Sequence, residues 1–265
     1  MAPRKVGRTP CQGGPVPGAT HDPAHDAASG EVLSQLAAMR ERYAHGRLLE
    51  SDLAPGAQAP TPLAQFARWI AEATVSGLPE PNAMVLASVD TSGPQPVPST
   101  RSVLLKHVDA DGFVFFTNYG SRKARELDAD PWASLLFPWY AVRRQISVVG
   151  RVEKVDRAES AEYFGARPYT SRIGAWASPQ SAVVASREVL TARFAELAAA
   201  FPDNGGGDDV PLPDFWGGYR LAPGSVEFWQ GRESRLHDRL RFTAYDGPGA
   251  ALDDPHAWTV ERLAP

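Results

Sequence analysis

Apolar and polar positions alternate in short runs along the middle of the chain: AMVLASV (83–89), RSVLLKHV (101–108), GFVFFTN (112–118), ASLLFPWY (133–140) and RQISVVGRVEKV (144–155). Runs of this length, rich in β-branched and aromatic residues, predict strands. TSG and DADG between runs have the chemistry of hairpin turns. Such short connections favour antiparallel neighbours, and five strands in under 80 residues predict a closed or nearly closed barrel, which removes exposed edges. GGYRLAP, SVEFWQG, the stretch FWQGRESRLHDRL (228–240) and the terminal WTVERLAP extend the sheet.

Helical spacing takes over elsewhere. EVLSQLAAMRERYAHGRLL, from Glu31, reads as a helix, followed by the Pro/Gly-rich linker APGAQAPTP. PLAQFARWIAEATVSG predicts a second helix, with Leu63, Phe66 and Ile70 on one stripe, Pro62 at the first turn and Gly77 as the stop. Further helical patterns cover 121–128, 158–167 and 181–201, and a GGGDD loop occupies 205–209. The pattern as a whole is mainly β with α, an α+β fold. Residues 1–30 are Gly, Pro, Ala and short polar residues with almost nothing to bury, so the expected organisation is a disordered tail and one domain over 31–265.

Composition narrows the classes. With 265 residues and 43% hydrophobic content the chain can bury one sizeable core. A net charge of −4 argues against a protein that coats nucleic acid, so any cationic site is local. A single cysteine, Cys11, rules out an intrachain disulfide and fits a reducing cytoplasm. No apolar run approaches membrane-spanning length, and MAPRKVGRTPCQGG has no hydrophobic segment behind its basic residues; a soluble, unexported protein is expected. His21, Asp22, His25 and Asp26 in HDPAHD would bind a metal only if it ordered the tail, and His107, His237 and His256 are isolated, so no metal site is predicted. There is no G-x-S-x-G elbow, P-loop or G-x-G-x-x-G.

Cations collect in a few places. Read as a strand, 235–242 sets Arg235, His237, Arg239 and Arg241 on one face, a row that needs an anion or water against it. In GSRKARE, Ser121 is a good N-cap, and Arg122 and Lys123 fall in the first helical turn, where they oppose the dipole unless an anion neutralises them; a solvated basic turn is the competing account. Arg101 and Lys106, five apart, point to opposite faces of a regular strand, which suggests two separate anion sites. In YFGARPYTS, Tyr163 and Arg167 lie one helical turn apart with Ser171 just beyond; together they suit a phosphate monoester, or else a structural helix end.

Taken in order, RSVLLKHVDADGFVFFTNYGSRKARELDADPWASLLFPWY, RRQISVVGRVEKV, YFGARPYTSRIGAWASPQS, FWGGYRL, VEFWQGRESRLHDR and ERLAP resemble the pyridoxamine (pyridoxine) 5′-phosphate oxidase family, colinearly from about Met39 to Pro265. The resemblance implies an FMN-binding split β-barrel with flanking helices, working as a homodimer with FMN at the subunit interface. It implies that Arg101, Arg122 and Lys123 hold the FMN phosphate, and that the strand Ser102, Val103, Leu104 runs along the cofactor. Thr117, Gln145, Gln180, Ser181, Trp229 and Arg239 complete the flavin contacts, and Phe116, where the family often has tyrosine, contributes backbone or ring. By the same resemblance, Lys106, Tyr163, Arg167 and Ser171 would take the phosphate of pyridoxamine or pyridoxine 5′-phosphate, with oxygen as the second substrate. The resemblance further implies that Arg235 and His237 lie over the pyridine ring as the catalytic pair, and that Arg40 and Tyr43 belong to a segment that closes the pocket. A guanidinium stays protonated, so Arg235 orients substrate, while His237 either relays a proton or forms a hydrogen-bonding wall. Two rivals share these motifs: a non-catalytic binder of pyridoxal phosphate or flavin, and a split-barrel flavin or deazaflavin reductase with another substrate.

Overall fold

Nine strands, every pairing antiparallel, carry the computed structural model, which describes residues 58–205 and 209–265. The predicted helix from Glu31, the N-terminal tail with HDPAHD, Arg40, Tyr43 and positions 206–208 of the GGGDD loop lie outside the described residues. The strands are β1 (Ala83–Asp90), β2 (Val97–Leu104), β3 (His107–Asp109), β4 (Gly112–Asn118), β5 (Trp132–Trp139), β6 (Arg144–Lys154), β7 (Trp216–Gln230), β8 (Asp238–Ala244) and β9 (Trp258–Arg262). The helices are α1 (Pro62–Val75), α2 (Arg122–Ala129), α3 (Arg157–Ala166), α4 (Tyr169–Ala177) and α5 (Arg187–Ala200).

The sheet runs β2-β1-β5-β6-β7-β4-β3. Its two ends, β2 and β3, are joined only by Leu105 and Lys106, which span about 10 Å, so the path must curl round until its ends nearly meet. β2 and β3 form no ladder, so the barrel stays split. Strand β7 is long enough to serve two neighbours on one edge: β4 against 216–221 and β8 against 225–230. β9 then adds to β8.

Alternation decides what faces inward. On β1, Met84, Leu86 and Ser88 are buried; on β5, Ala133, Leu135, Phe137 and Trp139. Helix α1 caps this interior: Thr61 Oγ accepts from the Ala64 amide, Pro62 opens the first turn, and Phe66 meets Phe113 and Phe137 edge-on at 5.2 and 5.3 Å. The expected stripe is displaced slightly; Phe66, Trp69 and Ala73 are buried, while Leu63 and Ile70 sit at the margin. A smaller cluster of Phe164, Ile173, Val210 and Trp216 lies under α3, α4 and α5.

Several predicted elements differ. RSVLLKHV is two strands, because Leu105 N turns to the Asn82 carbonyl and Lys106 N to the Val114 carbonyl. The opposite-face inference for Arg101 and Lys106 therefore loses its basis in strand parity. GGYRLAP and SVEFWQG are one strand that absorbs an extra residue where β6 shifts register at Val149/Gly150. The helix expected over 181–201 starts only at Arg187, since Ser181 is left-handed (φ 71°). Strand character in 228–240 stops at Gln230 and resumes at Asp238; Glu233–Arg235 is a 3₁₀ turn with Ser234 and Arg235 at φ 55° and 62°.

The register shift fixes Gly150 against the Ala222 backbone, where a Cβ would overlap the carbonyl. Gly150→Ala is expected to lower stability by about 1 to 3 kcal/mol in denaturant titrations, the usual penalty of forcing an extra carbon into packed structure.

Candidate active site

Helix α2 brings the first cation group inward. Ser121 Oγ accepts from the Ala124 amide to start the helix, and Lys123 is 93% buried on its inner face, at 7% exposure. Its Nζ donates to Thr117 Oγ1 on β4 (3.1 Å), to Gln180 Oε1 (2.9 Å) and to Ser121 Oγ (3.5 Å), all neutral acceptors. Burial, then the positive charge of Arg101, lowers the lysine from 10.5 to about 8, with Glu126 pulling the other way.

Arg101 and Arg122 meet at Glu126. One oxygen of this carboxylate accepts from Ser88 Oγ, Ser99 Oγ and Arg101 Nη2 at 2.6, 2.7 and 2.9 Å; the other accepts from Arg122 Nε at 2.7 Å. Glu126 is 3% exposed, and although burial opposes it, these donors hold its carboxyl at about 2. The cations at the start of α2 are thus balanced partly from within the helix, one turn along. Sequence reasoning missed Glu126 because three of its four donors lie 25 to 38 residues away.

The second group gathers on a cavity of ≈ 580 Å³, a size suited to a small organic ligand, which Lys123 also lines, whereas Arg101 and Arg122 do not border it. Around it stand Ser102, Val103, Leu104, Lys106, Phe116, Thr117, Lys123, Tyr163, Arg167, Ser171 and Gln180, so eleven of the expected residues converge here. Phe116, Tyr163 and Trp216 form a near-parallel stack, with Phe116 to Tyr163 centroids 4.1 Å apart and Phe116 to Trp216 5.5 Å. Arg167, at the end of α3, lies over the Trp216 ring at 4.8 Å, and Lys106 Nζ is 5.8 Å from the Tyr163 ring. Arg167 Nη1 is buried with no hydrogen-bond partner. An unpaired buried guanidinium nitrogen is costly unless an anion meets it. Next to Ser171, Arg172 pairs with Asp209 at 2.7 Å, both buried, and fastens α4 to the loop before β7.

Ser181 lines a neighbouring cavity of ≈ 320 Å³ that shares Gln180 with the first. The remaining expected residues form a group of their own. Trp229 on β7 pairs with Gln145 on β6 and Arg239 on β8. His237 packs on the Trp229 ring at 4.7 Å, and its Nδ1 accepts from the Arg232 amide, which leaves Nε2 to carry the proton of the neutral ring; burial, then Arg235, lowers its pKa. Arg235 is exposed in the left-handed turn. The predicted cation row does not exist as a row. Arg239 is held by both oxygens of Glu227 and by the Ala264 carbonyl, and Arg241 by Glu261. Trp216 lines the cavity and Trp229 is thirteen residues further along the same strand, about 40 Å of extended chain. None of Gln145, Trp229, Arg235, His237 or Arg239 borders the cavity.

Comparison with known proteins is consistent with this geometry. The family described as pyridoxamine 5′-phosphate oxidase matches residues 70–200, and the pyridoxine 5′-phosphate oxidase C-terminal dimerisation region matches residues 216–265. A pyridoxine/pyridoxamine 5′-phosphate oxidase of Burkholderia multivorans is 51% identical over 233 residues, covering 88% of this chain and 100% of the relative. One from Salinispora arenicola is 53% identical over 201 residues, covering 76% and 85%. Among solved structures, PhzG from Burkholderia lata, in complex with tetrahydrophenazine-1-carboxylic acid, superposes with a TM-score of 0.70 at 30% identity, over 83% of this chain and 98% of that one. A pyridoxamine 5′-phosphate oxidase-related, FMN-binding protein from Nostoc punctiforme shares the fold, with a TM-score of 0.56 at 17% identity over 76% and 97%.

Proposed function

This chain belongs to the pyridoxamine 5′-phosphate oxidase family, and from that premise we propose that it oxidises pyridoxamine and pyridoxine 5′-phosphates to pyridoxal 5′-phosphate with FMN. Oxygen is reduced to hydrogen peroxide, water releases the nitrogen of pyridoxamine 5′-phosphate as ammonia, and the working unit is a cytoplasmic homodimer. The observation that carries this reading is one cavity lined by two cation groups, Lys123 on one element set and Lys106 with Arg167 on another. Two phosphorylated molecules must lie against each other in the reaction, and two anion grips on a common cavity meet that need.

The donor set fits FMN. Lys123 is a buried cation whose contacts are all neutral, and it stands beside Arg101 and Arg122, which suits a phosphate; Thr117 and Gln180 offer polar edges, and Ser102 to Leu104 a strand to lie along. FMN when bound supplies the two-electron oxidation and the transfer to oxygen. The chain supplies position and charge. Arg167, Tyr163, Ser171 and Lys106 hold the substrate phosphate, with the Phe116–Tyr163–Trp216 stack as a rigid wall beneath. Gln145, Trp229, Arg239, Arg235 and His237 come from the second copy, whose matched dimerisation region contains four of the five. There Arg235 orients the substrate ring, and His237, with its Nδ1 accepting from the Arg232 amide, holds a hydrogen bond to the reacting oxygen or nitrogen.

The direct test is anaerobic addition of pyridoxamine 5′-phosphate to the purified yellow protein. Bleaching that reverses in air is expected. Colour that persists would favour the non-catalytic binder, and bleaching only by tetrahydrophenazine-1-carboxylic acid would favour chemistry like that of the phenazine-bound neighbour. Arg235→Leu is expected to lower kcat/KM about tenfold while FMN affinity stays within about twofold, because the lost contact is to substrate alone. Equal loss of both in a fluorescence titration would contradict the assignment.

A further inference from the structure

We propose that Glu126 is the positioning residue of the cofactor-phosphate end: its buried carboxylate fixes Arg101 and Arg122 beside Lys123 and reduces the local charge to match one phosphate monoester. This deepens the FMN reading and rests on it. Four donors from β1, β2 and α2 converge on the carboxylate, and it is almost wholly buried. Ser99 Oγ joins the assembly twice, donating to Glu126 and accepting from Arg101 Nη2. With Arg101 and Arg122 each anchored through part of the guanidinium, Arg101 Nε and the terminal nitrogens of Arg122 are left to meet a ligand, one of the latter 4.0 Å from Asp90. Three cations against Glu126 leave two positive charges, which Asp90 at the exposed rim, 4.0 Å from Arg122, trims further, comparable to the roughly 1.5 to 2 negative charges of a phosphate monoester at neutral pH.

Removing the carboxylate adds formal positive charge, yet it is expected to weaken phosphate binding. Lys123 faces Arg101 from β2, with Glu126 on its own helix as the compensating anion and only neutral Thr117, Ser121 and Gln180 in contact. Without Glu126 the lysine loses the anion that supports its charge and holds its proton less tightly, so positive charge is reduced at the group lining the cavity. Meanwhile Arg122 loses its anchor, and an amide in place of the carboxylate turns a donor toward a donor.

The test titrates FMN and riboflavin, which lacks the phosphate, into full-length protein freed of flavin, following flavin fluorescence. Glu126→Gln is expected to weaken FMN about tenfold and riboflavin less than about twofold, the loss of charge-assisted bonds falling on the phosphate alone. Ser99→Ala, which keeps every charge, should shift FMN in the same direction by less, and it decides the matter if Glu126→Gln does not fold. Equal losses for both flavins, or FMN affinity unchanged or increased in both variants, overturn the inference. An unaltered chain with no preference for FMN over riboflavin overturns the cofactor reading, and this inference with it.

Discussion

Lys123→Met is expected to weaken FMN binding about a hundredfold or more, since removing one member of a buried ion pair costs about 3 to 5 kcal/mol. The same substitution should raise the thermal stability of the flavin-free protein. Lys123 is lowered from 10.5 to about 8 by burial, so the unfolded chain holds this proton more tightly than the folded one. Folded-state stability from this group therefore rises with pH between about 8 and 10.5, and at pH 7 the charged lysine is a penalty that methionine removes. A residue kept for structure would show the reverse. In the unaltered chain FMN affinity should fall as pH rises above about 8, because the empty site loses the proton that the phosphate requires; the methionine variant should lack that slope. Flavin fluorescence titrations from pH 7 to 10, with differential scanning calorimetry of the empty protein, check both signs.

Arg167→Ala should raise KM for pyridoxamine 5′-phosphate about a hundredfold with FMN affinity nearly unchanged, in line with charge-assisted bonds worth about 1.5 to 3 kcal/mol each. The guanidinium carbon lies 4.8 Å from the Trp216 ring centre and 5.5 Å from that of Phe164, two rings that pack edge to face on each other, and one buried nitrogen stays unpaired, so its geometry is set before any ligand arrives. Pre-organisation of this kind is lost with lysine, which has neither the fork nor the plane, and Arg167→Lys should recover little. Steady-state kinetics separate the outcomes: a fall in kcat at constant KM would move Arg167 from binding to chemistry.

Most of the barrel was legible in the sequence because the pattern is local: the runs on β1, β5 and β6 carry alternating inward and outward faces within a few residues, and β4 is a short apolar run buried almost throughout. What escaped depends on distant partners or rare backbone states. VPST opens β2 despite Pro98, because β2 is an edge strand whose one partner is β1 and a missing amide there is tolerated. Helix α4 begins at Tyr169 behind Pro168 with no side-chain cap to announce it. The row of cations failed at Ser234 and Arg235, two consecutive left-handed residues that no glycine foretells. Clustering at the cavity was visible through Tyr163, Arg167 and Ser171, one helical turn and a proline apart, whereas the Glu126 assembly draws Ser88, Ser99 and Arg101 from other strands.

The central claim is that a working site joins the cavity of one copy to the Arg235–His237 end of another. Co-expressing Arg167→Ala and Arg235→Leu chains, which alone keep about a hundredth and about a tenth of the unaltered kcat/KM, and assaying the mixture at low substrate tests it most directly. In a twofold dimer with shared sites, mixed pairs own one intact site and one doubly altered site, so the mixture should recover about a quarter of the unaltered activity. If both residues act within the same chain, every site in the mixture carries a defect, and activity no higher than that of the separate variants would contradict the account.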